Sequence, residues 1–207
     1  MSATGRAATG SAGRVIAGTA RGTRLVAPGP GTRPLGDRLK EALFAILEPE
    51  LRDGAVLDLF AGSGAGGIEA LSRGARTATF VERDPATIAV IRANVARTHV
   101  AQSAVIVQAE VIAWLDAAIR AGNGRDGGPF RVILVDPPYD QPDLLVGALE
   151  RLGHPGRLLA AGATVVAKHG WRDQPRERIG LLGSVRTRRL GETMLTFYRT
   201  GATEEQA

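Results

Sequence analysis

The sequence predicts an α/β fold: a mostly parallel, seven-stranded sheet closed by an antiparallel C-terminal hairpin and preceded by a β-hairpin and a helix. Three observations predict this. Apolar runs of strand length alternate with stretches of helical periodicity between Ala55 and Gly170. A glycine-rich turn, "AGSGAGG", follows the first of those runs. The last two strand-like segments, "LLGSVRTRRL" and "ETMLTFYRT", are separated by little more than Gly191, which leaves no room for a crossover helix, so they must pair antiparallel.

The elements follow in order. "RVIAGTARGTRLVAPG" reads as a β-hairpin with glycines at its turn. In "GDRLKEALFAILEPEL", Leu39, Leu43, Ile46 and Leu47 recur at helical spacing behind Asp37, which reads as the cap. "AVLDLF", "TATFVER", "AVIVQA", "RVILVD" and "GATVVAKHG" are the parallel strands. "GGIEALSRGA", "PATIAVIRANVART", "VIAWLDAAIRAG" and "PDLLVGALERLG" are the helices between them, and right-handed crossovers place these on both faces. The division expected is a disordered tail over 1–13, an N-terminal extension over 14–50, the main domain over 51–200 and a tail over 201–207.

Composition narrows the function. There is no cysteine, so disulfides and thiolate-bound metal are excluded, and a reducing cytoplasm fits. His99, His154 and His169 show no ligand spacing, so no metal is expected. No apolar run approaches the roughly 20 residues of a membrane span. The net charge of +5 is localised: residues 1–36 hold Arg6, Arg14, Arg21, Arg24 and Arg33 without an acid, which leaves 21 basic against 21 acidic residues elsewhere. An arginine hairpin is the footprint of a phosphate-rich partner, because each contact releases counterions from a nucleic acid.

The chemistry sits at the strand ends. In "LDLFAGSGAGG", Gly62, Gly64 and Gly67 bring backbone close to a ligand, and Glu82, 20 positions beyond Gly62, can accept from two ribose hydroxyls. Nicotinamide dinucleotides and S-adenosylmethionine both fit this pattern. Asp58, inside the strand, would repel a pyrophosphate but attract the ammonium of a methionyl group, which favours the latter. "VDPPYD" ends the fourth strand at the same edge. Asp136 and the Pro137 carbonyl could hold the protons of an exocyclic amine on a nucleobase, and Tyr139 could stack on a base drawn out of its helix. A carboxylate suits guanine, whose N1–H and N2 amine are adjacent donors.

With these residues in view the chain resembles the bacterial small-subunit rRNA guanine-N2 methyltransferases, RsmD, from about Arg14 to Tyr198. "RVIAGTARGTRL", "TRPLGDRLKEALFAIL", "LDLFAGSGAGGIEALSRGA", "FVERD", "VDPPYD" and "RLGETMLTFY" follow the family's order. The resemblance implies a Rossmann-like class I methyltransferase in which Asp58, Phe60, Gly62, Ser63 and Gly64 cradle S-adenosylmethionine. Glu82 would take the ribose, and Arg83, Glu110 and Val111 would flank the adenine. Asp136, Pro137, Pro138 and Tyr139 would orient the target amine, with Asp136 also reaching the cofactor. Arg14, Arg21, Arg24, Arg33 and Arg38 would meet 16S rRNA within the assembled small subunit, and the protein would be a cytoplasmic monomer. Leu35-Gly36 and Glu110-Val111 depart from the family pattern at the helix lead-in and the adenine pocket. The alternatives are an adenine-N6 or cytosine-N4 nucleic-acid methyltransferase, an NAD-dependent oxidoreductase and a non-catalytic ribosome assembly factor.

Overall fold

The structure is a computed structural model that describes residues 11–29, 35–122 and 127–201. Strands β1 (Ser11–Arg14) and β2 (Arg24–Val26) pair antiparallel as a small sheet, and α1 (Asp37–Leu51) follows. The main sheet takes β3 (Ala55–Leu59), β4 (Thr77–Glu82), β5 (Ala104–Gln108), β6 (Phe130–Val135) and β7 (Leu159–Gly170) in parallel. Helices α2 (Ala65–Ser72), α3 (Pro85–Arg97), α4 (Val111–Ala121) and α5 (Pro142–Leu152) make the connections. Then β8 (Arg178–Ile179), β9 (Leu182–Leu190) and β10 (Thr193–Thr200) close the sheet antiparallel, in the spatial order β5-β4-β3-β6-β7-β10-β9-β8. The sheet thus has eight strands where seven were expected. The additional one is the two-residue β8, too short to leave a periodic signature.

Chain order reverses between β3 and β6, which pair directly, so a crevice opens beyond their carboxyl ends. Strands in the middle of such a sheet are covered on both faces and need continuous apolar sequence, as every residue of β3 is buried. One face packs against α1, α2 and α3 through Phe44, Leu47, Ile68 and Ile91; the other packs against α4 and α5 through Leu115, Leu145 and Leu149.

The N-terminal hairpin belongs to the first of these cores, since Ala12, Val15 and Leu25 are buried in it. Its first strand starts at Ser11, three residues ahead of the boundary expected at Arg14. Polar groups lock it in place. The fully buried Glu69 of α2 accepts from the Ile16 and Ala17 N–H groups at 2.8 and 3.1 Å and from Arg73 Nε at 2.8 Å. Ser72 exchanges bonds with Ala17 and Ala20, and Gly18, at φ +83°, lies so close to the Ser72 carbonyl that a Cβ would overlap it. Asn94 of α3 pairs with both backbone groups of Val26 and donates to the Ser63 carbonyl, joining the hairpin to the glycine-rich turn.

Asp37 does not cap α1. Gly36 is the N-cap, and the Asp37 carboxylate instead pairs with Arg14 at 3.1 Å and with the buried Lys40 at 3.7 Å. An acid at the first helical position and one at the cap look alike in sequence, and here Arg14 draws the side chain away from the helix end.

Glu69→Ala leaves the part-buried Ile16 and Ala17 N–H groups without this acceptor and the largely covered Arg73 with Glu48 alone, a loss of about 3 kcal/mol. Urea unfolding monitored by circular dichroism should show a midpoint lowered accordingly.

Candidate active site

A cavity of 660 Å³ opens at the switch point, within the range of small-molecule sites. Three carboxylates reach it from adjacent strands: Asp58 from β3, Glu82 from β4 and Asp136 from the end of β6. The backbone between them is bent to admit a ligand. Phe60, at φ 60°, occupies the left-handed region that a bulky residue rarely adopts, and it turns the chain out of β3. Gly64, at φ 76°, is the N-cap of α2; it shapes the turn without lining the cavity, whereas Gly62 and Ser63 line it. A Cβ at Gly67 would come within 2.3 Å of the Phe80 ring, so this glycine permits α2 to pack on β4.

The acids differ in setting. Asp58 is buried and accepts from the Gly67 N–H at 2.8 Å. Burial pushes its carboxyl up to about 7, the Gly67 bond opposes this, and Asp136 and Glu82 add to it. Glu82 is held rigidly: Oε1 accepts from the Arg83 and Asp84 N–H groups at 2.8 and 3.0 Å, and Oε2 from the Gly62 N–H at 3.1 Å. A carboxylate has about four acceptor directions, so roughly one remains open, on Oε2. Arg83 and Glu110, both exposed, form a bridge of 3.0 Å and line the cavity together with the buried Val111.

Asp136 has a partner that no motif announced. Lys168, on β7 and 8 % exposed, donates to Asp136 Oδ1 at 2.6 Å and lies 4.9 Å above the Tyr139 ring. Burial pulls the Lys168 ammonium down, but the Asp136 carboxylate outweighs this and holds it above its ordinary value. Burial also pushes the Asp136 carboxyl above its ordinary value, and the ammonium offsets this only in part. Tyr139 is fixed at its other end by a 3.2 Å hydrogen bond between its hydroxyl and Thr193 Oγ1. Pro137 and Pro138 also line the cavity, and α5 starts only at Pro142 behind Gln141, so Asp136 is not spent on capping a helix.

The predicted basic residues are dispersed. Arg14 is tied to Asp37 beside Leu35, which lines the cavity. Arg24 and Arg38 are exposed. Arg21 is exposed next to Ala20, which bonds to Ser72 at the far end of α2, about 12 Å along the helix from the glycine turn. Arg33 lies outside the described residues. Among the described residues no cluster of acids and histidines is arranged to hold a metal, and no helix is long and apolar enough to cross a membrane.

The doubly wound sheet, its antiparallel closing strands and the acid-lined crevice define a class I methyltransferase fold. The family model described as conserved hypothetical protein 95 matches residues 13–199. YlbH of Bacillus subtilis is 35% identical over 187 residues, 90% of this chain and 98% of its own length. Ribosomal RNA small subunit methyltransferase D of Escherichia coli is 41% identical over 127 residues, 61% of this chain and 60% of that one. The solved structure of yhhF from Escherichia coli superposes with a TM-score of 0.79 at 33% identity, covering 94% of this chain and 100% of the other. The chain belongs to this family, RsmD, the one its motifs resemble.

The Asp58 prediction follows from linkage. A carboxyl raised from 3.8 toward 7 favours the folded state while protonated, so its contribution is complete below about pH 4 and is lost as pH rises through about 7. Asp58→Asn, which keeps the group neutral, should be more stable than the parent by about 4 kcal/mol near pH 8 and nearly equal to it near pH 4. Chemical denaturation at the two pH values checks this.

Proposed function

We propose that the protein transfers a methyl group from S-adenosylmethionine to the exocyclic N2 of a guanine in 16S rRNA of the small ribosomal subunit. The observation that carries this reading is the convergence of Asp58, Glu82 and the Asp136–Tyr139 segment on one cavity. The name of the Escherichia coli relative supports the RNA substrate.

The residues fit the cofactor by charge and shape. Six acids line the cavity against Arg83 and Lys168, and this excess of negative charge suits a ligand bearing both an ammonium and a sulfonium and opposes a pyrophosphate. Asp58 receives the ammonium, the open direction on Glu82 Oε2 takes a ribose hydroxyl, and Arg83, Glu110 and Val111 border the adenine. Bound S-adenosylmethionine supplies an activated methyl group.

An exocyclic amine is a poor nucleophile because its lone pair is delocalised into the ring, so the protein must fix it in line and hold its protons. Asp136 Oδ2 and the Pro137 carbonyl accept those protons while Lys168 occupies the other carboxylate oxygen. Tyr139, clamped between Lys168 and Thr193, offers a fixed ring for the extruded base. After transfer Asp136 takes the surplus proton or passes it to water.

The substrate test is nucleoside mass spectrometry of small subunits lacking base methylation after incubation with protein and S-adenosylmethionine, with naked rRNA and duplex DNA in parallel. N2-methylguanosine, chiefly in the subunit sample, is expected; methyladenosine or methylcytosine would overturn the base assignment. Asp136→Asn should lower kcat at least about 100-fold and leave cofactor affinity within about tenfold, because the amide keeps the shape beside Lys168 but loses an acceptor. Single-turnover kinetics with calorimetry separate the two effects.

A further inference from the structure

A further group of arginines lies at the opposite end of the chain from the N-terminal hairpin. Arg186, Arg188 and Arg189 are all exposed on β9. Because β8 pairs only with Leu182 and Gly183, β9 from Val185 onward is the open edge of the sheet. Register then places the arginines. On β10, Leu195 is opposite Arg188 on one side and Lys168 on the other, while Phe197 is opposite Arg186 and Val166. Opposed residues share a face, so Arg188 and Arg186 project from the face that carries Lys168, the partner of Asp136. With strands about 4.8 Å apart, the Arg188 backbone is about 10 Å from that of Lys168.

Two further contacts tie this hairpin to the site. Thr193, at its tip, bonds to the Tyr139 hydroxyl. On the other face, Arg189 and Arg172 lie 4.6 and 4.1 Å from the ring of Trp171, which holds both guanidiniums in place. Asp173, Glu177 and Glu192 are exposed in the neighbouring turns, yet among the described residues none pairs with Arg186 or Arg188. Two guanidiniums two residues apart on one face of the strand, with no ion-pair partner among the described residues, match the spacing and chemistry of successive phosphates.

We propose that the β9–β10 hairpin is a second RNA-binding surface, on which Arg186 and Arg188 hold backbone phosphates flanking the target nucleotide. This rests on the RNA methyltransferase reading and adds a surface to it.

The test is the affinity of the full chain for small ribosomal subunits lacking base methylation, measured against potassium chloride concentration beside methyl transfer. Arg186→Gln/Arg188→Gln is compared with the parent and with Arg97→Gln on α3, and unchanged thermal unfolding verifies the fold. The double variant should bind about tenfold more weakly near physiological salt. Its log–log salt slope should fall by about 1.4, and its kcat at saturating subunit should stay within about twofold of the parent. Arg97→Gln should match the parent. A double variant with parental affinity and slope would overturn the proposal and leave these arginines as guards of an open strand edge. Arginine-dependent binding without methyl transfer by the parent would instead sink the catalytic reading and leave this surface standing.

Discussion

The structure depends on bringing Asp58, Glu82 and Asp136 to one sheet edge, where like charges in a partly dry cavity repel. Each acid has its own relief. Asp58 takes the Gly67 N–H and a raised carboxyl; Glu82 takes three backbone N–H groups; Asp136 takes the Lys168 ammonium. The glycine-rich turn therefore does more than make room, since its amides make the acids tolerable. What remains is a negative pocket matched to a positive ligand, and this separates the site from a nicotinamide site with the same glycine spacing.

The same helix that opens at the cofactor turn also carries the N-terminal hairpin. Glu69 and Ser72 on α2 bind its backbone, and Asn94 bonds to Val26 and Ser63 together. The hairpin is therefore a wall of the cavity, contributing Ala12 and Pro28 to its lining, as well as an arginine carrier. The hairpin and the cofactor turn are joined through these polar bonds, each costly to break without a replacement partner.

The parallel strands, the four crossover helices and the closing hairpin were legible because apolar period and glycine placement record backbone geometry directly. The acids of the site were legible because each ends or interrupts an apolar run. Lys168 was not: in "VVAKHG" it looks like a solvated strand end, and only the β6–β7 pairing brings it to Asp136. Glu69 sits on a short helix where a solvent-facing acid is the ordinary reading, although it is fully buried. The remote position of Arg21 and the alignment of Arg188 with Lys168 are properties of docking and register, which local sequence does not encode.

The claim that three acids select a cationic cofactor is tested most directly by calorimetric titration of the protein with S-adenosylmethionine and, separately, with NAD. Saturable binding of S-adenosylmethionine with no heat from NAD is the result the electrostatics predict. Binding of NAD as tight as or tighter than that of S-adenosylmethionine would contradict it.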